Sequence, residues 1–258
     1  MIFRTLVSGS SGNAVLFSDD NTNILIDCGI SAKRLIPLLC QAGISAQNLD
    51  CILVTHEHTD HCTGVGVLSR KFNIPVIASI GTWQGMNVGR INPENVVTFD
   101  NYDNLGVGST LITPFKIPHD ANMPTGYVIE SNGAKYAVAT DMGYVTKGVA
   151  DIVKGSRSVV LEANYDEQML KNGSYPFSLK KRILGKSGHL CNNDTAKFAS
   201  YLFENGTEKI ILGHLSDENN TPEKAYKTVF QKIKDDGVVL EESSLSVAPR
   251  YEISINIG

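Results

Sequence analysis

Six histidines occur in this 258-residue chain, at positions 56, 58, 61, 119, 189 and 214. Three of them fall in one short segment, Thr55-His56-Glu57-His58-Thr59-Asp60-His61, which has the pattern HxHxDH. It follows directly on the apolar run CILVT (residues 51–55). A short apolar run reads as a buried strand, and open α/β sheets place their sites beyond the carboxyl ends of strands. Neutral imidazole and carboxylate suit borderline and hard divalent cations. Four such groups in one loop exceed what a single ion would take while keeping a position open for water, so their density predicts two adjacent cations. Two cations ~3.5–4 Å apart can share one water, hold it as hydroxide near neutral pH, and clamp a phosphate oxygen. Attack on phosphorus then needs charge stabilisation more than a covalent nucleophile.

The same placement recurs along the chain. IILGH (210–214) echoes ILVTH (52–56), AVATD (137–141) ends in Asp141, FKIPH (115–119) brings His119 after a proline, and ILID (24–27) ends in Asp27. Asp27 alone would read as a turn or cap residue. Five apolar runs that each deliver His or Asp at their ends point to one assembled centre.

On these residues the sequence resembles the metallo-β-lactamase superfamily. Asp27, His56-x-His58-x-Asp60-His61, His119, Asp141 and His214 stand in that family's order and span most of the chain. The resemblance implies an α/β fold, a four-layer αββα sandwich with a dinuclear site at one edge. It implies that His56, His58 and His119 hold one metal, that Asp60, His61 and His214 hold the other, and that Asp141 bridges them. Asp27 would orient the HxHxDH loop. The chain is closer still to the YycJ/WalJ-type branch, through SGSSGN (8–13), ATDMGY (139–144), LEAN (161–164) and SGHL (187–190). That branch implies a 5′-to-3′ double-strand DNA exonuclease with a role in mismatch repair. One departure stands out: Asn164-Tyr165-Asp166 occupies a place where the branch leads one to expect Asn-His-Asp.

His189 has no metal role in this scheme. It is either a structural histidine or a group that contacts phosphate and donates a proton to the leaving oxygen. It follows Lys180, Lys181, Arg182 and Lys186 and precedes an expected helix start at Asn193 or Asp194, where free N–H groups favour anions. The groups expected to act in the reaction are thus Asp60, Asp141 and His189. Candidate substrate contacts are Lys181, Arg182 and His189, with Ser10, Ser11 and Asn13 of the small-residue loop and Asn164. That loop fits a phosphate cradle and a plain tight turn equally well, and Asn164 fits a contact and a strand-end turn equally well. Cys62 beside His61 reads as packing. Because no thiolate joins the donor set, zinc, manganese and iron all remain suitable.

The elements that position these groups alternate along the chain. Strands are expected at residues 23–27, 51–55, 74–79, 127–130, 135–140, 158–162, 209–213, 245–248 and 251–257, with Asn132-Gly133 closing a hairpin. Helices are expected over residues 31–42, from about 193 to 205, and from Thr221-Pro222-Glu223 onward, where Ala225, Val229, Phe230 and Ile233 would face the core. No linker or composition break interrupts the chain, which predicts a single domain over residues 1–258. Lys plus Arg total 23 and Asp plus Glu 27, a net charge of −4. Together with 42% hydrophobic residues this excludes a membrane-spanning or strongly basic DNA-coating protein. Five cysteines without a CxxC pair disfavour a zinc ribbon or disulfide framework and suit reduced thiols in the cytoplasm. The start, MIFRTLVSGSSGN, lacks the apolar stretch of a secretory signal. Three functions compete. The first is a metal-dependent phosphodiesterase acting on the DNA backbone. The second is a hydrolase of small esters, thioesters or lactams using the same ions. The third is a binding protein with a structural metal, which is disfavoured because an open N/O site is a poor staple.

Overall fold

The computed structural model describes residues 1–241 and 243–258. Two sheets pack face to face, and each is covered by helices on its outer side. The first sheet carries β1 (Ile2–Val7), β2 (Ala14–Ser18) and β3 (Asn23–Ile26), then after α1 (Ala32–Gln41) β4 (Cys51–Leu53). After α2 (Thr59–Cys62) and α3 (Val65–Phe72) comes β5 (Val76–Ser79), and after α4 (Ile80–Gly85) comes β6 (Val96–Phe99). The second sheet carries β7 (Leu105–Val107), β8 (Thr110–Lys116), β9 (Thr125–Ser131) and β10 (Ala134–Ala139). It continues through α5 (Lys147–Val153), β11 (Ser158–Glu162), α6 (Glu167–Asn172), α7 (Phe177–Ile183), α8 (Asn192–Glu204), β12 (Lys209–Gly213), α9 (Pro222–Asp235) and β13 (Leu245–Val247). In both sheets the strands lie in chain order. The first three strands of one sheet and the first four of the other pair antiparallel, and all later pairs are parallel.

The near-continuous apolar strands are explained by burial on both faces. In β3, Ile24 and Ile26 face the second sheet while Leu25 faces α1 and α3. In β12, Ile211 faces the first sheet while Ile210 and Leu212 pack under α8 and α9. Phe3, Phe17 and Tyr136 fill the space between sheets, with Phe3 and Tyr136 edge to face at 5.4 Å. Tyr127 of the second sheet donates its hydroxyl to the Val54 carbonyl at 2.8 Å, and Thr125 donates its N–H to the Thr55 carbonyl at 2.9 Å. These bonds lock the sheets together just ahead of the HxHxDH segment. Asn132 (φ 50°) and Gly133 (φ 76°) form the expected hairpin turn between β9 and β10. No helix among the described residues is long and apolar enough to cross a membrane.

Three local expectations are corrected. Residues 251–257 do not form a strand: Ser254 Oγ and Asn256 Oδ1 accept the N–H groups of Thr5 and Phe3 in place of backbone carbonyls, so no regular ladder forms along β1. The cap of α8 is Cys191, whose Sγ accepts from the Asp194 N–H at 3.4 Å, rather than Asn193 or Asp194. Phe230 is not in the core; it stacks on Tyr226 and stays 39% exposed, whereas Ala225, Val229 and Ile233 are buried.

Candidate metal centre

Six strand ends converge at one edge of the sandwich. β3 delivers Asp27, β4 leads into Thr55 and His56, β8 leads to His119, β10 to Asp141, β11 ends at Glu162 and β12 leads to His214. Asp27, Asp141 and His214 each have a left-handed backbone, with φ of 62°, 61° and 55°. That conformation costs a non-glycine residue about 1–3 kcal/mol, and here it turns each side chain off the strand axis toward the others. Three loops are braided beneath them. The Asn13 N–H donates to the Asp60 carbonyl, Gly29 N–H to Asn13, and Cys28 N–H to His61, at 2.8–2.9 Å. Gly29 lies so close to the Asp60 carbonyl that any Cβ there would collide with it.

The donors gather as two trios. His56 Nε2 and His119 Nε2 lie 3.0 and 3.3 Å from His58 Nδ1. His61 Nε2 and His214 Nε2 each lie 3.4 Å from Asp60 Oδ2. Asp141 sits between the trios: Oδ2 is 3.4 Å from His61 Nε2, and Oδ1 is 3.5 and 3.8 Å from His214 and His119 Nε2. Within each trio the ligand atoms are close enough to share one ion.

The opposite nitrogen of most rings is already engaged. His56 Nδ1 meets Thr55 Oγ1 at 3.0 Å, His119 Nδ1 meets the Gly188 carbonyl at 3.1 Å, and His61 Nδ1 meets Asp27 Oδ2 at 2.8 Å. His214 Nδ1 meets Glu162 Oε1 at 3.1 Å. Such outer contacts fix the tautomer and aim the remaining lone pair. Asp27 also accepts the Thr55 N–H and hydroxyl at 2.8 and 2.9 Å, so it fastens the start of the histidine loop rather than facing the pocket.

Charge and burial both suit cations. Asp141 Oδ2 is buried with no hydrogen-bond partner among the described residues, which for a carboxylate is unfavourable by about 1–3 kcal/mol or more. Burial opposes ionisation of Asp141, yet His214, His61 and His56 hold its carboxyl well below the usual range. Burial alone would lower His214; Asp141, Asp60 and Glu162 outweigh it and push the imidazole up to about 10. His61 is raised in the same way, against its burial, by Asp141, Asp27 and Asp60. Burial and the neighbouring His61 instead push His56 down, leaving it a neutral donor. In the metal-free protein the surrounding carboxylates therefore favour the protonated forms of His61 and His214. The N/O donor set and the orphaned carboxylate oxygen fit divalent cations.

An open pocket of about 470 Å³ gives access to the donors. Its walls include Ser10, Glu57, Asn164, Arg182 and His189 beside His58, Asp60, Asp141 and His214. His189 Nδ1 bonds Glu162 Oε1 at 2.7 Å, which leaves Nε2 for the pocket. Arg182 pairs with Asp120 through Nε at 2.5 Å and a terminal nitrogen at 3.0 Å. Asn164 reaches the pocket but gives its amide to the His214 carbonyl at 2.8 Å, with the nitrogen 3.2 Å from the ring. Asn13 is turned inward, bonding Gly9 and lying 3.1 Å from His61 Nε2. Neither Ser11 nor Lys181 lines the pocket. Tyr165 packs among Leu170, Ile183 and Cys191 beneath α6 and α7, so it anchors that helical cap and takes no histidine's place at the donors. Cys62 packs as expected, with its thiol on the Glu57 carbonyl.

Glu162 is the residue that the sequence reading missed. It is fully buried, and its two oxygens accept from His189, His214, Met142 N and Leu190 N at 2.7–3.2 Å. Its signal was present: SVVLE is one more apolar run ending in an acid.

Residues 22–215 match the family described as the beta-lactamase superfamily domain. The chain is 38% identical over 253 residues to the exodeoxyribonuclease YycJ of Bacillus anthracis, covering 97% of this chain and 93% of that protein. It is 37% identical over 235 residues to the exodeoxyribonuclease WalJ of Streptococcus pneumoniae serotype 2 (strain D39), covering 90% and 87%. Among solved structures, the metallo-β-lactamase fold protein YhfI of Bacillus subtilis superposes with a TM-score of 0.71 at 16% identity, over 98% of this chain and 99% of that one.

Proposed function

The chain belongs to the metallo-β-lactamase superfamily, and from that premise we propose that it is a metal-dependent phosphodiesterase that trims DNA. The observation that carries this reading is the pair of donor trios sharing Asp141 at the floor of an open pocket, with His189 and Arg182 on its walls. The exodeoxyribonuclease names of relatives matched over nearly the whole chain support DNA as substrate. Duplex DNA degraded from 5′ ends, in the setting of mismatch repair, is the finer form of the proposal and rests on the YycJ/WalJ resemblance.

In this reading His56, His58 and His119 hold one cation, Asp60, His61 and His214 the other, and Asp141 serves both. Zinc, manganese or iron in these places would neutralise charge developing on the phosphate and ionise a water near neutral pH. The chain's own groups do the rest. Arg182 brings a permanent positive charge to the wall that faces the phosphate, and Asp120 holds its guanidinium in place. His189 donates a proton from Nε2 to the leaving oxygen, while Glu162 at Nδ1 holds the ring in place. Asp60 and Asp141 fix where the attacking oxygen must sit. Ser10 offers a hydroxyl to a phosphate oxygen, and Asn164 keeps His214 aimed.

The test is purified protein with end-labelled linear duplex DNA, with zinc or manganese or with a chelator, beside His58→Ala. Metal-dependent shortening from 5′ ends, lost in the variant, is expected. No cleavage with any metal, together with hydrolysis of a small ester or thioester, would move the protein to small-molecule hydrolysis.

A further inference from the structure

Helix α7 has two faces with different surroundings. Leu179, Arg182 and Ile183 line the metal pocket. Phe177, Lys180, Lys181 and Leu184 fall at offsets 0, 3, 4 and 7, one stripe on a helix, and line a separate groove of about 750 Å³ on the outer side. Lys171, Tyr175 and Gly185 complete that groove, and Tyr175 borders both cavities. Phe177 is 82% exposed and Leu184 47% exposed. A lone apolar side chain at the surface needs no explanation. Here, however, an uncovered aromatic ring shares one stripe with two lysines, and among the described residues no acidic side chain lines the groove. Lys171 has Glu167 at 3.7 Å, and Lys180 gives its ammonium to the Lys171 and Gly173 carbonyls, which pins the α6–α7 turn without removing the charge. The chain as a whole is acidic, at −4, so this cationic patch is a local feature.

We infer that the outer face of α7 is a stacking platform for the nucleic acid strand, with Phe177 receiving an unpaired base and Lys181 and Lys171 receiving the adjoining phosphates. The inference rests on the phosphodiesterase reading of the neighbouring pocket. A polyanion with flat apolar bases is the occupant that both properties select: the lysines match its phosphates and the ring matches a base face. Continuity supports the same occupant. A helix is about 10 Å across, roughly three stacked nucleotides, and Tyr175 bridges the two cavities. A strand whose phosphate lies at the donors can therefore pass over Tyr175 onto Phe177. Because stacking needs a free base face, this platform favours frayed or single-stranded ends over sealed blunt ones. It also gives Lys181, which does not reach the pocket, a place in substrate binding.

The experiment measures fluorescence anisotropy of a labelled single-stranded oligonucleotide with the full chain in chelator, so that no cleavage intervenes. It compares wild type, Phe177→Ala and Phe177→Trp. Aromatic stacking of one base predicts that Phe177→Ala weakens binding about tenfold and that Phe177→Trp stays within about twofold of wild type. In parallel, hydrolysis of bis(p-nitrophenyl) phosphate with metal present should be unchanged in Phe177→Ala, because that substrate has no neighbouring nucleotide. Equal DNA affinity of Phe177→Ala and wild type would overturn the platform, as would no measurable binding by wild type. Parallel loss of bis(p-nitrophenyl) phosphate hydrolysis would also overturn it, since the residue would then act on the pocket. A defect confined to binding of phosphatidylglycerol vesicles would assign the patch to a lipid surface instead. If wild type hydrolyses neither DNA nor the small diester, the phosphodiesterase reading fails while the anisotropy series still decides the platform.

Discussion

Replacing Glu162 with glutamine keeps the shape of the side chain and exposes how the centre is wired. One carboxylate oxygen accepts from His189 Nδ1 and His214 Nδ1, and the other accepts from the N–H groups of Met142 and Leu190. Glutamine has one acceptor oxygen and one NH2. If its oxygen faces the histidines, the NH2 is pressed against two buried backbone donors, each left unpaired at about 1–3 kcal/mol. If its NH2 faces the histidines, both rings must accept at Nδ1 and carry their proton on Nε2. His214 then no longer presents Nε2 as a ligand. The second arrangement loses hydrogen bonds of the charged class, ~1.5–3 kcal/mol each, which corresponds to ~10–100-fold in metal affinity or rate. Glu162→Gln should therefore hold zinc ~10–100-fold less tightly in a chelator competition, cleave labelled DNA more slowly by a similar factor, and show a lowered Tm. Wild-type affinity, rate and Tm together would refute the idea that this carboxylate aims the two rings.

Three further outcomes follow from the same geometry. Asp141→Asn removes the charge shared by both trios, so metal content measured by elemental analysis should fall and nuclease activity should drop by ~10³-fold. His189→Ala should keep wild-type metal content but cleave DNA ~10²-fold more slowly, with a smaller loss on a p-nitrophenyl diester whose leaving group needs no proton; loss of metal in this variant would reassign the ring as a ligand. Metal uptake should depend on pH. His214 in the metal-free protein is raised to about 10, above its free value of ~6.5. The stability it contributes is present below ~6.5 and is lost as pH rises through about 10. An incoming ion must displace that proton, so apparent zinc affinity should rise between pH 6.5 and 8.5, and a flat competition titration would contradict the assignment.

Much of the centre was legible because five apolar runs each end in a His or Asp, and a run of buried residues fixes where its neighbour must emerge. That logic located Asp27, His56, His119, Asp141 and His214 at strand ends that the fold does bring together. It did not extend to Glu162, since the sequence showed only another acid after the run SVVL and no sign that one buried carboxylate would serve two rings. The helical cap was equally opaque: α6 and α7 are short, and their small cluster around Tyr165 draws one or two residues from each of several short segments. The same limit explains Lys181 and Arg182. Adjacent in sequence, they point about 100° apart around one helix, and only Arg182 meets the pocket. At the C-terminal end a strand was expected over residues 251–257, but the side chains of Ser254 and Asn256 compete for the donors of β1, a local choice that a strand reading does not register.

The division of labour between the sheets has a consequence for how the protein matures. His56, His58, Asp60 and His61 come from the first sheet, whereas His119, Asp141 and His214 come from the second. Neither trio can be completed by one half of the chain. During synthesis, the segment ending at His61 would leave the ribosome with a loose set of donors, and the last ligand, His214, would arrive only after more than half of the remaining chain had followed. An ion held firmly by both sets of donors would thus act as a checkpoint, reporting that the two halves have met in register. It would also act as a clasp, because each ion would join segments far apart in the chain. Starving a cell of the right metal would then leave the protein slow to activate and also easier for proteases to pry open along the seam between its halves.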